Sequence, residues 1–365
     1  MHDVIIIGGG AAGLFCSIFL PKEFKKIIIE KSDKLGSKVL LSGGGRCNFS
    51  NANFDVDKNY FGENKKNLHS RFHAFDNQDM INFLEVNGLQ IKKENNGRLI
   101  VFNNKAKDLV NLLVSKSVEN KTEHFLSQNI LNIEKINDHF VVETQSGKFE
   151  SKKLIIASGG KSYPQIGASC LAYDVAGKFG IKVSNLYQGL CGLETVKNLS
   201  SLTGNAVIVN FWLKFNGKII YEDKGNLLFT HRGISGPVVF DCVNAIGEFL
   251  NKKKLGLDEM KNFEIQINFV GEVIKKIKTF FNLDNLKKDN GVNLVIKGFR
   301  PWEEAKITNG GILIDELNGN FESKKISGLY FIGECLDVNG RTGGYNLQRC
   351  WTSGYGCGKG TRDKE

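Results

Sequence analysis

Short apolar runs and amphipathic stretches alternate along the first part of the chain. Residues 4–7 form an apolar run, a helical stretch follows, and a second apolar run ends at Glu30. This order predicts a β-α-β unit over residues 3–30. Further on, residues 154–157 and 329–332 are continuous apolar runs, as expected of strands that are buried on both faces. The first run leads into Ser158-Gly159-Gly160 and the second into Gly333-Glu334. These runs predict a parallel sheet with ligand-binding loops at the carboxyl ends of its strands.

The period of the pattern changes between these runs. Residues 36–48 read as a polar, glycine-rich loop, and residues 68–118 predict helices with a turn at Gly97-Arg98. Residues 124–150 alternate with a period of two and predict a β-meander, followed by a separate strand at 154–157.

A second domain is predicted by the alternating pattern of residues 188–306. Its stretches 206–213 and 263–269 predict antiparallel strands, and a short lysine-rich helical piece follows at 272–290. We therefore expect an α/β fold with a discontinuous Rossmann-type domain, residues 1–187 and 307–365. A mainly antiparallel β domain, residues 188–306, is inserted into it.

The first turn carries chemistry. The segment 8–13 reads Gly-Gly-Gly-Ala-Ala-Gly, a G-x-G-x-x-G pattern between a strand and a helix, and Glu30 follows at the end of the next strand. In this pattern Gly8 permits the tight turn, Gly10 lets a pyrophosphate approach the backbone, and Gly13 lets the helix pack on the strand. Glu30 is placed to accept hydrogen bonds from a ribose, which favours FAD or NAD over NADP. The sequence thus predicts dinucleotide binding.

Composition narrows the class of protein. The chain has 365 residues, 41% hydrophobic and 24% charged, without an apolar run long enough to cross a bilayer or a basic leader, so we expect a cytoplasmic protein. Its net charge is +10, but the lysines are scattered, which favours a solvated surface over a nucleic-acid site. None of the eight cysteines forms a C-x-x-C pair, so neither a zinc site nor a disulfide framework is predicted.

Five segments together identify a family. They are residues 8–13, 36–51 (GSKVLLSGGGRCNFSN), 157–168 (ASGGKSYPQIGA), 228–237 (LFTHRGISGP) and 328–358 (GLYFIGECLDVNGRTGGYNLQRCWTSGYGCG). In their order and spacing the sequence resembles the BaiN-like, aminoacetone-oxidase-like family of FAD-binding oxidoreductases. The resemblance implies a bound FAD, a fold similar to the glutathione-reductase class of flavoproteins, and redox turnover.

The matched motifs and the glycine turn supply the candidate cofactor-binding residues. They are Gly8, Gly10, Ala11, Ala12, Gly13, Glu30, Lys31, Lys38, Arg46, Cys47, Asn48, Ile130, Ser158, Gly159, Gly160, Gly333, Glu334, Asp337, Gly343, Gly344, Tyr345, Asn346 and Leu347.

Three groups within that set have particular roles implied by the resemblance. Gly343 and Gly344 open the C-terminal helix, whose free N–H groups would face the flavin pyrimidine and stabilise the negative charge of the reduced ring. Glu334 and Asp337 fit the ribityl and pyrophosphate oxygens. Lys38 fits a phosphate or a flavin edge.

Catalytic side chains are less well marked. Arg46 and Asn48 are candidates to orient substrate or flavin carbonyls, and a structural ion pair is the alternative for Arg46. Cys47 lies beside them in the loop. His231, in the segment 228–237, is a candidate proton shuttle or a structural histidine.

Three functional hypotheses remain. The first is an FAD-dependent oxidoreductase that transfers a hydride between flavin N5 and a small organic substrate, with NAD(P)H a candidate co-substrate although no second G-x-G-x-x-G is present. The second is an FAD-dependent enzyme that modifies tRNA or another nucleic acid, suggested by the net charge. The third is a flavin-binding redox sensor without turnover. We prefer the first, with a small-molecule substrate and no membrane partner.

Overall fold

The computed structural model describes residues 1–62, 67–103, 105–283 and 291–361. The chain forms two compact units, Met1–Leu186 with Gly310–Glu365, and Tyr187–Asn309, which we call the first and the second unit.

Strands and helices alternate in the first unit, whereas strands predominate in the second. The strands are β1 (His2–Ile7), β2 (Lys26–Ile29), β3 (Asn48–Asn51), β4 (Tyr60–Phe61), β5 (Ile91–Lys93), β6 (Arg98–Val101), β7 (Thr122–Phe125), β8 (Ile130–Ile136), β9 (His139–Thr144), β10 (Gly147–Ile156), β11 (Tyr187–Gly189), β12 (Leu193–Thr195), β13 (Ala206–Phe215), β14 (Lys218–Thr230), β15 (Gly233–Ser235), β16 (Phe263–Phe269), β17 (Val292–Phe299), β18 (Ile307–Asn309), β19 (Leu329–Phe331) and β20 (Asn339–Gly340). The helices are α1 (Ala11–Phe19), α2 (Ser37–Leu41), α3 (Val56–Asn59), α4 (Leu68–Ala74), α5 (Asn77–Val86), α6 (Ala106–Glu119), α7 (Leu171–Lys178), α8 (Pro237–Lys253), α9 (Lys275–Phe281) and α10 (Tyr345–Gly360).

The central sheet of the first unit confirms the predicted Rossmann-type α/β fold. Its strand order is β7-β2-β1-β10-β9-β8, and β19 also pairs with β10. The pairs β7–β2, β2–β1, β1–β10 and β10–β19 are parallel, whereas β10–β9 and β9–β8 are antiparallel. The carboxyl ends of five parallel strands therefore meet at one edge of the sheet.

The predicted boundary between the meander and the parallel strand is wrong. Strand β10 is continuous: its first half pairs with β9, and its second half pairs with β1 and β19. Strand β7, which fell within the predicted meander, instead extends the parallel part of the sheet. The apolar run 154–157 is the part of β10 that becomes buried on both faces, which is why its pattern changes.

Two further local predictions need correction. Residues 68–118 do contain helices α4, α5 and α6, but β5 and β6 form a hairpin where a helix-to-helix turn at Gly97 was predicted. The apolar residues 99–101 are buried because β6 also pairs with β3, a contact that local periodicity does not show. The predicted loop 36–48 contains α2 and a 3-10 turn, Ser42–Gly45.

A closed barrel forms the second unit, with strand order β12-β15-β14-β13-β16-β17. Its pairs are antiparallel, which confirms the predicted strand type. The 17-residue helix α8 was not predicted. The lysine-rich helical piece is α9, shorter than predicted, and residues 284–290 of that prediction lie outside the described residues.

Close packing fixes the glycine turn that follows β1. Gly8 has a φ of +107°, and a Cβ atom there would lie 2.5 Å from the carbonyl oxygen of Ala157. A Cβ atom on Gly13 would overlap the carbonyl oxygen of Gly8. The first turn of α1 therefore rests directly on the backbone of the turn, and any side chain at either position has to move one of them.

We expect Gly13→Ala to lower the free energy of unfolding by about 1–3 kcal/mol, because the added methyl group is inserted into a filled space. Gly177→Ala is the matched control. Gly177 lies in α7, and a Cβ atom there meets no other atom within 4 Å. In the control, alanine should raise stability by about 0.5–1 kcal/mol. Urea unfolding of both variants measures the difference, and equal stabilities would contradict the packing described above.

A buried lysine begins β2, at the end of the strand opposite the glycine turn. Lys26 is 1% exposed, and its Nζ donates to the carbonyl oxygen of Pro21 at 2.8 Å. The carbonyl oxygens of Lys22 and Phe24 lie at 3.5 Å. Burial lowers the pKa of the Lys26 ammonium to about 8. Carbonyl oxygens solvate the charge only in part, so the proton is held less tightly than in water.

This shift predicts a pH dependence of stability. Between pH 8 and about 10.4 the unfolded chain holds a proton on Lys26 that the folded protein has lost, so the free energy of unfolding should rise with pH. The rise should total about 3 kcal/mol. Urea unfolding across that range measures it. The rise should be absent from Lys26→Met and retained in Lys25→Met, whose side chain is exposed. Parallel curves for wild type and Lys26→Met would contradict the assignment.

Candidate cofactor-binding site

A cavity of about 250 Å³ lies at the carboxyl ends of β1, β2 and β10, in the first unit. Its lining residues are Ile7, Gly8, Ile29, Glu30, Lys31, Gln128, Asn129, Ile130, Ser158, Gly167, Ser169, Cys170, Leu171 and Asp174. The structure thus brings together five of the predicted site residues: Gly8, Glu30, Lys31, Ile130 and Ser158. Sequence reasoning missed the other lining residues. Gly167 lies in the matched segment 157–168, and the rest lie outside the matched segments.

Glu30 holds the glycine turn in place. Its Oε2 accepts a hydrogen bond from the backbone N–H of Gly9 at 2.7 Å, and its Oε1 accepts one from Ser32 at the same distance. Both oxygens retain a second lone pair, so the carboxylate can still accept from a hydroxyl group. The predicted ribose contact remains a proposal, and the observed contacts show that Glu30 also has a structural role.

The N-terminus of α1 is open to a ligand. Its N-cap residue, Gly10, contributes no side-chain hydrogen bond, and a Cβ atom on Gly10 would meet nothing within 4 Å. Ala11, Ala12 and Gly13 form the first turn, whose N–H groups have no partner within a helix. Unused N–H donors and the positive end of the helix dipole attract phosphate oxygens.

A buried ionic network lies in the same unit. Lys38 Nζ donates to Glu334 Oε2 at 2.5 Å and to Ser162 Oγ at 2.6 Å, and Ser162 Oγ donates to Glu334 Oε1 at 2.7 Å. Burial opposes ionisation of Glu334, but the charges of Lys38 and Arg349 and the hydrogen bonds from Lys38 and Ser162 outweigh it and lower the pKa of the carboxyl. Sequence reasoning missed Ser162, although it lies in the matched segment 157–168.

Two predicted residues of the glycine-rich loop, Arg46 and Cys47, are unsuited to acid–base chemistry. Arg46 pairs with Glu94, Nη1 to Oε1 at 2.9 Å, which is the structural alternative considered above. Cys47 is fully buried, and burial raises the pKa of its thiol to about 12. The thiol is therefore protonated at neutral pH and is not a nucleophile.

Helix α10 begins directly after Gly343 and Gly344, as the sequence predicted. Strand β3 packs against this start of the helix. Gly344 is the N-cap, with a φ of +107°, and a Cβ atom there would overlap the backbone of Ser50. Ser50 Oγ donates to Gln348 Oε1 at 2.6 Å, and Trp351 Nε1 donates to the carbonyl oxygen of Phe49 at 2.9 Å. These contacts fix the direction of the helix N-terminus.

The remaining predicted residues lie in two places. Around β10, β19 and α10 the first unit contains Gly159, Gly160, Gly333, Asp337, Gly343, Tyr345, Asn346 and Leu347. Tyr345 donates to the carbonyl oxygen of Asn53, and Asn346 Nδ2 donates to that of Gly340. His231 belongs to the second unit, in the exposed turn between β14 and β15.

Two orphaned polar atoms test whether a flavin nucleotide fits. Ser158 Oγ, in the cavity wall, and Asn48 Oδ1, close to Gly344, are buried without a hydrogen-bond partner. Buried polar groups in native proteins are normally paired, so both atoms are positions where a bound group can supply the partner. Together with the open N-terminus of α1 and the N-terminus of α10, these atoms fit the phosphates, ribose and pyrimidine edge of FAD.

Residues 1–62, 67–103, 105–283 and 291–361 contain neither a membrane-spanning helix nor a cluster of metal ligands. In those ranges no helix is long and apolar enough to cross a bilayer. The same part of the chain holds no group of three or more histidine, cysteine or acidic side chains arranged to hold a metal ion.

Comparison with known proteins assigns the family. The family model described as HI0933-like protein Rossmann domain matches residues 2–360. A Haemophilus influenzae protein named ribosomal RNA dihydrouridine synthase is 31% identical over 393 residues, which cover 97% of this chain and 96% of that protein. A Clostridium scindens protein named 3-dehydro-bile acid delta(4,6)-reductase is 24% identical over 417 residues, which cover 100% of each chain.

A solved structure supports the fold. The open conformation of a flavocytochrome c3 fumarate reductase matches with a TM-score of 0.55 at 14% identity, over 98% of this chain and 77% of that one. The chain is thus an FAD-dependent oxidoreductase with a Rossmann-type fold. It belongs to the HI0933-like family, whose FAD-binding Rossmann proteins include the BaiN-like group that the motifs resemble.

The cavity contains one thiol that can report on FAD. Cys170 is half-buried in the cavity wall, whereas Cys47 is fully buried. In the FAD-free protein we expect iodoacetamide to alkylate Cys170 and to spare Cys47. Saturating FAD should slow alkylation of Cys170 at least tenfold by covering it. Peptide mass spectrometry measures both sites. Equal Cys170 rates with and without FAD would place the nucleotide elsewhere.

Proposed function

We propose that this enzyme uses FAD to reduce a carbon–carbon double bond conjugated to a carbonyl group. The observation that carries the proposal is full-length similarity to relatives whose names describe this chemistry. Making dihydrouridine saturates the uracil C5–C6 bond, which is conjugated to the C4 carbonyl. A Δ4,6-reductase acting on a 3-dehydro steroid acid saturates bonds conjugated to the 3-oxo group. Hydride addition to such a bond leaves negative charge on the carbonyl oxygen.

FAD, when bound, supplies the hydride at flavin N5. In the proposal this chain's own residues bind and orient it. The first turn of α1 and Gly10 accept the pyrophosphate, while Glu30 and Ser158 hold the adenosine side. The N-terminus of α10, with its positive dipole end, stabilises negative charge on the pyrimidine edge.

The ionic network of Lys38, Ser162 and Glu334 fits the ribityl chain in the middle of FAD. Glu334 is an acceptor that remains ionised, since Lys38 and Ser162 hydrogen-bond to its carboxylate. An ionised acceptor fits the hydroxyl groups of a ribityl chain. Lys38 has a half-exposed side chain and supplies a positive charge next to that position. We propose that the first unit binds FAD and that the second unit binds the substrate.

Two acceptors fit the proposed reaction. Uracil in RNA is favoured by the 31% identity of the dihydrouridine synthase, a match that covers 97% of this chain. A small-molecule enone is favoured by the 24% identical bile acid reductase, and it is the class preferred from the sequence. NADH or NADPH is proposed as the electron donor, and the missing second fingerprint implies that it binds transiently.

The test is an anaerobic titration of FAD-loaded protein, followed at the flavin absorbance band. NADH or NADPH should bleach the band. Uridine-containing ribosomal RNA, or a conjugated enone, should then restore it as the double bond is saturated, which mass spectrometry detects as a gain of two hydrogen atoms.

The matched control is the same RNA with its uridines replaced by cytidine, which should not restore the band. Restoration by RNA alone assigns the RNA substrate, and restoration by the enone alone assigns the small molecule. If the reduced flavin is reoxidised by neither acceptor, double-bond reduction is the wrong reaction. Absence of a flavin band after FAD addition would reject FAD binding itself.

A further inference from the structure

Arg300 is a buried cation at one end of the barrel in the second unit. It directly follows β17, and 3% of it is exposed. Its backbone N–H donates to the carbonyl oxygen of Gly192 at 3.0 Å, and its Nη2 donates to Thr230 Oγ1 at 2.7 Å. Gly192 precedes β12 and Thr230 ends β14, so Arg300 lies where three barrel strands meet.

Two of the three guanidinium nitrogen atoms of Arg300 form no hydrogen bond with the described residues. Its Nε and Nη1 are buried and have no hydrogen-bond acceptor among the described residues. Glu304 forms an ion pair with Arg300, but its Oε1 lies 3.7 Å from Nη1, which is beyond hydrogen-bond distance, and its side chain is half exposed. Buried donors in native proteins are normally paired, so these two N–H groups point to a bound acceptor.

The surroundings pack closely around Arg300 and carry charge of both signs, since Glu304 pairs with Nη1 and Arg232 lies in the turn after Thr230. His231 and Arg232 form the exposed turn immediately after Thr230, within the matched segment 228–237. A Cβ atom on Gly192 would lie 3.2 Å from Arg300 Cγ and 2.9 Å from the carbonyl oxygen of Ile234. A side chain at position 192 would therefore displace Arg300.

We propose that Arg300 forms an anion-binding site of the second unit, in which Nε and Nη1 bind a substrate group with two negatively charged oxygens. A planar fork of N–H donors matches a carboxylate or a phosphate and binds both of its oxygens. Thr230 is a positioning residue, because its hydroxyl holds Nη2 and so fixes the plane of the fork. The inference rests on the proposed function for the source of the anion: the phosphate of a uridine nucleotide or the carboxylate of an acidic enone.

The experiment is isothermal titration calorimetry of the FAD-loaded full chain. The phosphate arm compares uridine 5′-monophosphate with uridine and with inorganic phosphate. The carboxylate arm compares an enone acid with its methyl ester. In one arm the charged ligand should bind at least tenfold more tightly than its neutral analogue, and that arm identifies the source. Arg300→Gln should abolish this preference, and Arg300→Lys should retain only part of it, because lysine keeps the charge but not the fork.

Lys297→Gln is the matched control, since it removes the same charge from an exposed position on β17. Its affinities should stay within twofold of wild type. FAD content and the urea midpoint show that each variant is folded. Thr230→Val is the second variant: affinity for the charged ligand should fall at least threefold while that for the neutral one is unchanged, and Thr230→Ser should restore it. This selective change would not follow from a purely structural role for Thr230.

The proposal is wrong if folded Arg300→Gln binds both charged ligands as wild type does, or if wild type prefers neither. These results are independent of turnover. Charge-selective binding without double-bond reduction would reject the proposed reaction and leave the anion site standing. Double-bond reduction without charge-selective binding would reject the anion site alone.

Discussion

The first unit depends on the close packing of three backbone segments: the turn after β1, helix α1 and helix α10. Gly13 brings α1 onto the backbone of the turn after β1. Gly354, on α10, faces the carbonyl oxygen of Ala12, where a Cβ atom would lie 2.8 Å away. One turn later Gly358 faces that of Cys16, at 2.7 Å. Strand, helix and helix are thus packed without intervening side chains. This packing fixes both helix N-termini on which the proposed nucleotide site depends.

Buried polar groups divide into those that are hydrogen-bonded within the protein and those that have no partner among the described residues. Glu30 and Glu334 are satisfied by backbone or side-chain donors, and each can still accept from a hydroxyl group. Ser158 and Asn48 each hold an orphaned oxygen. Since burial without a partner costs free energy, these two orphans are the stronger indication of a bound group. The same reasoning singles out Arg300 in the second unit.

Burial and hydrogen bonding also decide which positively charged side chains are candidates to bind a ligand. The net charge of +10 is spread over the chain and indicates little by itself. Two buried cations differ in their surroundings: carbonyl oxygens surround the Lys26 ammonium, while Arg300 keeps two open donors. Lys38 lies between these extremes, half-exposed and paired with a carboxylate. A ligand-binding role follows for a cation only where its donors are not already used.

Features that depend on residues close together in the chain could be predicted from the sequence alone. The glycine turn, the buried strands, the start of α10 and the family motifs all lie within short segments, where steric limits and hydrophobic period act directly. Tertiary structure decided the rest. The hairpin of β5 and β6 depends on the pairing of β6 with β3. The same fold brings Glu94 within ion-pair distance of Arg46. The Lys38–Glu334 pair joins residues 296 positions apart. Such contacts leave no local pattern, because their free energy comes from groups that meet only after the chain has folded.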